Sequence, residues 1–124
     1  MNYEVTISLA SNCCHEQSLL LARQCLERFL TDCRFTESLW TEPIVSHPSP
    51  SVPQYLNQLL RARTSLPAAA LQCCLKALEQ HLGRTASDRR RGLVRIDLDL
   101  LQHGGERYHL SDWERPYVQV LMNM

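Results

Sequence analysis

Arg95-Ile96-Asp97-Leu98-Asp99-Leu100-Leu101 sets apolar Ile96, Leu98 and Leu100 against Asp97 and Asp99 with a period of two. That period belongs to a strand, where both carboxylates leave the same face roughly 7 Å apart at Cα; a helix would splay them to different sides. Asp is a poor strand former and neighbouring like charges repel, so the pattern costs stability unless a cation lies between them. Hard oxygen donors of this kind suit Mg²⁺ held jointly with substrate phosphates. A solvated sheet face would account for the same two residues without any ligand.

Working back from this strand, Tyr3 to Leu9 alternates Val5, Ile7 and Leu9 with polar residues and reads as a half-buried strand. His15 to Leu30 places Leu19, Leu20, Ala22, Leu26 and Leu30 at near-helical spacing, with Ser11 or Asn12 as the cap. Arg34 to Trp40 reads as a second strand. Pro43, Pro48, Pro50 and Pro53 then fall within eleven residues and forbid regular structure. Gln54 to Thr64 is read as a third strand, and Ala68 to Leu82 as a helix that starts after Ser65 and Pro67 and ends at Gly83. Beyond the acidic strand, Gly104-Gly105 signals a turn, and Asp112 is a candidate cap for a short terminal helix through Leu121 with Pro116 in its first turn. The order strand, helix, strand, strand, helix, strand is the plan of an α+β, ferredoxin-like split βαβ sandwich: an antiparallel sheet with packed helices.

The 124 residues, with 13 Lys+Arg against 13 Asp+Glu and 44% hydrophobic content, are expected to form a single domain over 1–124 with no net charge. That balance argues against a generic nucleic-acid or membrane-surface binder. No apolar run approaches the ~18 residues of a membrane span, and Met1-Asn2-Tyr3-Glu4 opens without a signal-like core, so a cytoplasmic location is expected. Six cysteines at 13, 14, 25, 33, 73 and 74 include no C-x-x-C; free thiols packed as small apolar groups are the expectation, with Cys13-Cys14-His15 the one metal-like cluster.

Arg84, Arg89, Arg90, Arg91 and Arg95 crowd into twelve residues just before the acidic strand, with Asp88 the lone opposite charge. A triphosphate with magnesium needs cationic donors for its free oxygens and anionic ligands for its metal, and this segment supplies both side by side. A flexible solvated loop would carry the same arginines. The chain has no G-x-x-x-x-G-K-[ST], G-x-G-x-x-G, G-x-S-x-G or H-E-x-x-H, so P-loop, dinucleotide, hydrolase-elbow and zincin chemistries are unsupported.

Leu78-Glu79, Gly83-Arg84, Gly92 and Ile96-Asp97-Leu98-Asp99-Leu100-Leu101 together resemble the 6-hydroxymethyl-7,8-dihydropterin pyrophosphokinase family of folate biosynthesis. In the same order, Leu9-Ala10-Ser11-Asn12 is similar to the family's first-strand turn. Trp40-Thr41-Glu42-Pro43-Ile44 resembles its substrate loop, Tyr55-Leu56-Asn57 its third-strand motif, and Glu114-Arg115-Pro116-Tyr117-Val118 its Glu-Arg-Pro-Phe-Val. The resemblance implies the ferredoxin-like fold already read from the element order. It also implies transfer of the β,γ-pyrophosphoryl group of ATP to the pterin hydroxymethyl oxygen. Asp97 and Asp99 would bind two Mg²⁺; Arg84 and Arg115 would hold the triphosphate; Glu79 would lie near the nucleotide; and Arg84 and Arg95 join the two aspartates as candidate catalytic residues. Tyr55 and Tyr117 would sandwich the pterin, with Thr41, Pro43, Ile44 and Asn57 along its polar edge. The implied partners are small molecules, ATP and hydroxymethyldihydropterin, with no nucleic acid and no membrane, and with another folate-pathway enzyme as a further candidate.

Several positions depart from the family pattern. The usual Gly-Pro-Arg is Gly92-Leu93-Val94-Arg95, which puts the arginine one residue late; on a strand that slip would turn it to the other face. Ala86 and Arg91 stand where a second loop arginine and a tryptophan are usual, Ala10 replaces a glycine, and Lys76 takes the place of a common glutamine. The Val-Pro-His-Pro stretch is missing, with His109 the nearest histidine, and the tail to Met124 is shorter than usual. These departures leave two further readings beside the enzyme: a weakly catalytic or inactive nucleotide- or pterin-binding relative acting through interaction, and a plain ferredoxin-like interaction domain.

Overall fold

The computed structural model describes residues 2–41, 54–83, 90 and 93–123. The proline-rich stretch, with Pro43 and Ile44, and Arg84, Ala86, Arg89, Arg91 and Gly92 of the basic loop lie outside the described residues. The elements are β1 (Tyr3–Ser11), α1 (His15–Phe29), β2 (Thr31–Phe35), β3 (Leu39–Thr41), β4 (Tyr55–Thr64), α2 (Ala68–His81), β5 (Asp97–His103), β6 (Glu106–Arg107), α3 (Leu110–Trp113) and α4 (Pro116–Met122). The sheet has six strands in the order β2-β4-β1-β5-β6, with β3 also on β4, and every pairing is antiparallel. With β2 and β3 counted as one interrupted strand, this is the ferredoxin-like order expected from the sequence.

The period of two decides what each face does. Val5, Ile7 and Leu9 of β1, Leu56 and Leu60 of β4, and Leu98 and Leu100 of β5 turn to one face. There they are buried with Leu19, Ala22 and Leu26 of α1 and Leu71 and Leu75 of α2. The opposite face carries a smaller apolar cluster, Leu59 and Leu101 under Val118 and Leu121 of α4. β1 is central and covered on both sides, so even its polar Thr6 and Ser8 are buried. A bulge between Thr6 and Ile7 in the β1–β5 register inserts Leu101 as the extra residue, since Ile7 faces Leu100 while Thr6 faces Gln102. β5 and β6 are joined through Gly104, whose positive φ of 57° is the left-handed conformation that such a turn demands. Among the described residues no helix is long and apolar enough to cross a membrane.

Four local expectations are corrected. Arg34 to Trp40 is not one strand: β2 starts at Thr31 and ends at Phe35, and β3 covers Leu39–Thr41. Between them the Thr36 hydroxyl accepts from the Leu59 amide while its backbone N–H donates to the Leu59 carbonyl, a local pairing that ends the regular ladder. Neither Ser11 nor Asn12 caps α1. Its N-cap is Cys14 in the left-handed region, because Asn12 is committed to Val94 and the Ser11 hydroxyl to the Cys13 carbonyl. Asp112 caps no terminal helix; it sits inside α3, and α4 begins separately with Pro116 at its first position after Arg115. The cysteines are free, but only Cys33 packs against the apolar core, and there only partly buried; Cys14, Cys73 and Cys74 are exposed.

Candidate active site

β5 is an edge strand over its first residues, and the way that edge is closed builds the site. Among the described residues no strand pairs with Asp97–Leu101 on the outer side, because β6 reaches back only to Gln102 and His103. Leu98 directs its backbone polar groups outward, and α2 supplies side chains in place of a neighbouring strand. The Leu98 N–H donates to Glu79 Oε1 at 2.7 Å, and Lys76 Nζ donates to the Leu98 carbonyl at 3.0 Å. Lys76 and Glu79 lie one helical turn apart and also pair with each other at 3.0 Å. Glu79 is 2% exposed, so this carboxylate is a structural acceptor inside the protein.

Asp97 and Asp99 occupy the first and third positions of β5 and face away from α1 and α2, opposite Ala10 and Ser8 of β1. Lys76 Nζ reaches round the strand edge to both, 3.2 Å from Asp99 Oδ1 and 3.9 Å from Asp97 Oδ1. His109, the residue before α3, brings Nε2 to 3.8 Å from Asp99 Oδ1. Burial, the neighbouring Asp99 charge and a hydrogen bond with Glu79 push the Asp97 carboxyl up to about 7, against the counter-effect of Lys76. Burial alone would lower the Lys76 pKa, but the Glu79 hydrogen bond and the Asp99 and Glu79 charges outweigh it, and the ammonium is held above its ordinary value.

The aromatic and amide candidates lie on the same face, nearer β3 and β4. Asn57 is 3% exposed and turns its NH₂ to Thr41 Oγ1 at 2.7 Å and the Leu39 carbonyl at 3.2 Å, which ties β3 to β4. The structure thus brings Asn57 and Thr41 together, with Tyr55 opposite Thr41 in the same ladder. Tyr117, half-buried on α4, hydrogen-bonds Ser8, and burial raises its phenol pKa. Ser8 is opposite both Leu59 of β4 and Asp99 of β5, so it links the tyrosine to the acidic strand. Arg115 at the start of α4 pairs with Asp112 at 3.1 Å.

Arg95 precedes β5 and is not part of a strand, so the argument that a one-residue slip flips its face does not apply. Its side chain lies along the end of α2, where Gly83 has a φ of +108° and a Cβ would meet Arg95 Cδ at 3.1 Å. The approach to β5 is fixed from the other side by Asn12, which accepts from the Val94 N–H through its side chain and donates to the Val94 carbonyl at 2.8 Å. Arg84, Pro43 and Ile44 lie outside the described residues. In the sequence Lys76 stands out only as a departure from the family pattern, and no local pattern marks Ser8. The i,i+3 pairing of Lys76 with Glu79 was the available signal for the lysine.

Among the described residues no three His, Cys, Asp or Glu side chains converge at metal-ligating geometry. Two carboxylates on one strand face, one of them pushed up to about 7 by burial and then by its neighbour's charge, nevertheless fit a hard divalent cation whose remaining ligands come from phosphate oxygens. No curated protein matches the chain. The family model for 7,8-dihydro-6-hydroxymethylpterin-pyrophosphokinase (HPPK) matches residues 6–123, from β1 through the end of α4. The match spans nearly all of the ferredoxin-like sheet and its helices, and the chain belongs to the HPPK family.

Proposed function

We propose that this chain transfers pyrophosphate from ATP to 6-hydroxymethyl-7,8-dihydropterin, with Mg²⁺ held by Asp97 and Asp99. The observation that carries the proposal is the gathering of Asp97, Asp99, Ser8, Tyr117, Asn57 and Thr41 on one face of the sheet, backed by the buried leucines of the other. A divalent ion there would supply charge neutralisation for the β- and γ-phosphates. The protein's own part is positioning. Tyr55 and Tyr117 offer stacking faces to the flat heterocycle. Asn57, whose NH₂ is spent on Thr41 and Leu39, offers its carbonyl Oδ1 to the pterin edge. Arg84, Arg95 and Arg115 supply guanidinium donors for the phosphates. Glu79 keeps the β5 edge closed and acts on the nucleotide site through Lys76 and Asp97.

A coupled assay with the pterin and Mg·ATP, read by AMP release, tests the proposal. Asp97→Ala is expected to abolish AMP release and to remove the Mg²⁺ dependence of ATP binding seen by calorimetry. Equal ATP affinity in excess chelator, or unchanged affinity in Asp97→Ala, overturns the metal assignment. Binding of both substrates without AMP release favours the non-catalytic relative. A pterin affinity untouched by Tyr55→Ala and Asn57→Ala moves the pterin site elsewhere.

A further inference from the structure

We propose that Lys76 is a resident cation of the carboxylate pair, so that the protein binds one divalent ion beside the nucleotide and the ammonium serves in place of a second. The inference rests on the reading of Asp97 and Asp99 as the metal pair. Lys76 is the chain's single lysine. Its Nζ sits among three carboxyls, 3.0 Å from Glu79, 3.2 Å from Asp99 and 3.9 Å from Asp97.

Its anchorage distinguishes this lysine from a mobile surface counter-ion. Two of its partners, the Leu98 carbonyl and Glu79, are not candidate metal ligands and lie behind the pair, on the closed edge of β5. Moving the ammonium out to admit a metal would take away the Leu98 carbonyl's donor and the cation that pairs with the buried Glu79 at 3.0 Å. The contact is therefore kept when a metal arrives.

Charge and space then limit the number of ions. In two-metal centres the ions stand about 3.5–4 Å apart and share bridging oxygens. Here Oδ1 of both aspartates already faces the ammonium. An ion bridging those same atoms would meet a fixed positive charge at contact distance. One divalent ion, shared with the phosphates, then takes its carboxylate ligation from Asp99 and from what the hydrogen bond to Glu79 leaves of Asp97. An ammonium donates hydrogen bonds to a phosphate oxygen as it does to a carboxylate, so it can neutralise charge beside the metal without octahedral coordination.

The experiment counts ions. Mn²⁺ is titrated into the full chain with a non-hydrolysable methylene analogue of ATP, and bound metal is measured by equilibrium dialysis and electron paramagnetic resonance. About one Mn²⁺ per chain, with the resolved spectrum of an isolated ion, is expected for the wild type. About two, with the broadening of a spin-coupled pair, is expected for Lys76→Gln or Lys76→Met. Two coupled ions in the wild type overturn the inference and leave the proposed function standing. One ion in both wild type and a folded variant overturns the role of Lys76. No nucleotide-dependent Mn²⁺ in the wild type overturns the proposed function itself. The wild-type count decides even where a variant fails to fold.

Discussion

On the face covered by α1 and α2, the central strands present Ile7, Leu9, Leu60, Leu98 and Leu100, each at most 2% exposed. On the opposite face the intervening residues of the same strands are Ser8, Asn57, Asp97 and Asp99, with a smaller apolar patch under α4. The contrast shows how a thin sheet carries polar chemistry. One face is packed like any core, and its rigidity holds the side chains of the other at fixed spacing. Leu98 links the two: its side chain belongs to the core, and its backbone N–H and carbonyl hold Glu79 and Lys76.

The comparison breaks first at Leu98. Leu98→Ala removes a fully buried side chain and is expected to destabilise the protein by about 2–5 kcal/mol in chemical denaturation. Leu121→Ala, in the smaller cluster whose covering helix can settle, should lose less. Equal losses would show that the two faces contribute alike.

Glu79→Ala comes next, because it leaves the Leu98 N–H without its acceptor and removes one of the acceptors of the Lys76 ammonium. A loss of about 1–3 kcal/mol is expected, together with faster hydrogen exchange at the Leu98 amide. Exchange unchanged at that amide would mean that water replaces the carboxylate at no cost and that the strand edge does not depend on α2.

The effect of Asp97 appears as a pH dependence. Its folded pKa of about 7 lies above the ordinary 3.8, so between those values the native state binds more protons than the unfolded chain. This group's contribution is fully present below about pH 4, and stability declines as pH rises towards 7 and levels off above it. Asp97→Asn should flatten that decline, and above pH 7 it should unfold at a denaturant concentration no lower than the wild type. A decline that persists unchanged in the variant would assign it to another group.

The smallest effect belongs to Arg63, whose ion pairs with Glu4 at 3.2 Å and Asp32 at 3.8 Å lie on the open polar surface. Arg63→Ala should change stability by less than about 1 kcal/mol, and the change should shrink further in high salt. A larger, salt-independent loss would show that this polar surface contributes to the fold as the leucine face does.

Much of this was legible in local pattern. The period of two in β1 and β5 identified strands and faces, because alternate side chains of a strand must leave opposite sides. Gly83 marked the end of α2 and Pro116 a first helical turn, though not that the helix begins there, since each residue type answers a backbone requirement that can be read without knowing what lies nearby. The Asp97 and Asp99 pair on one face followed from the same rule, and so did the ferredoxin-like order of elements.

Tertiary structure decided what spacing along the chain cannot contain. Asn12 looked like a helix cap, and its commitment to Val94 depends on a residue 82 positions away. Arg34 to Trp40 looked continuous until the Thr36 hydroxyl met the Leu59 amide across β4. Lys76 read as one basic residue on a helix, and its place among Asp97, Asp99 and Glu79 follows from α2 packing along the edge of β5. Hydrogen bonds and ion pairs depend on distance in space, and folding brings these partners together from separate elements; hydrophobic periodicity is a property of each element alone, which is why the sequence determined the strands, their faces and the acidic pair but not the cation that sits between them.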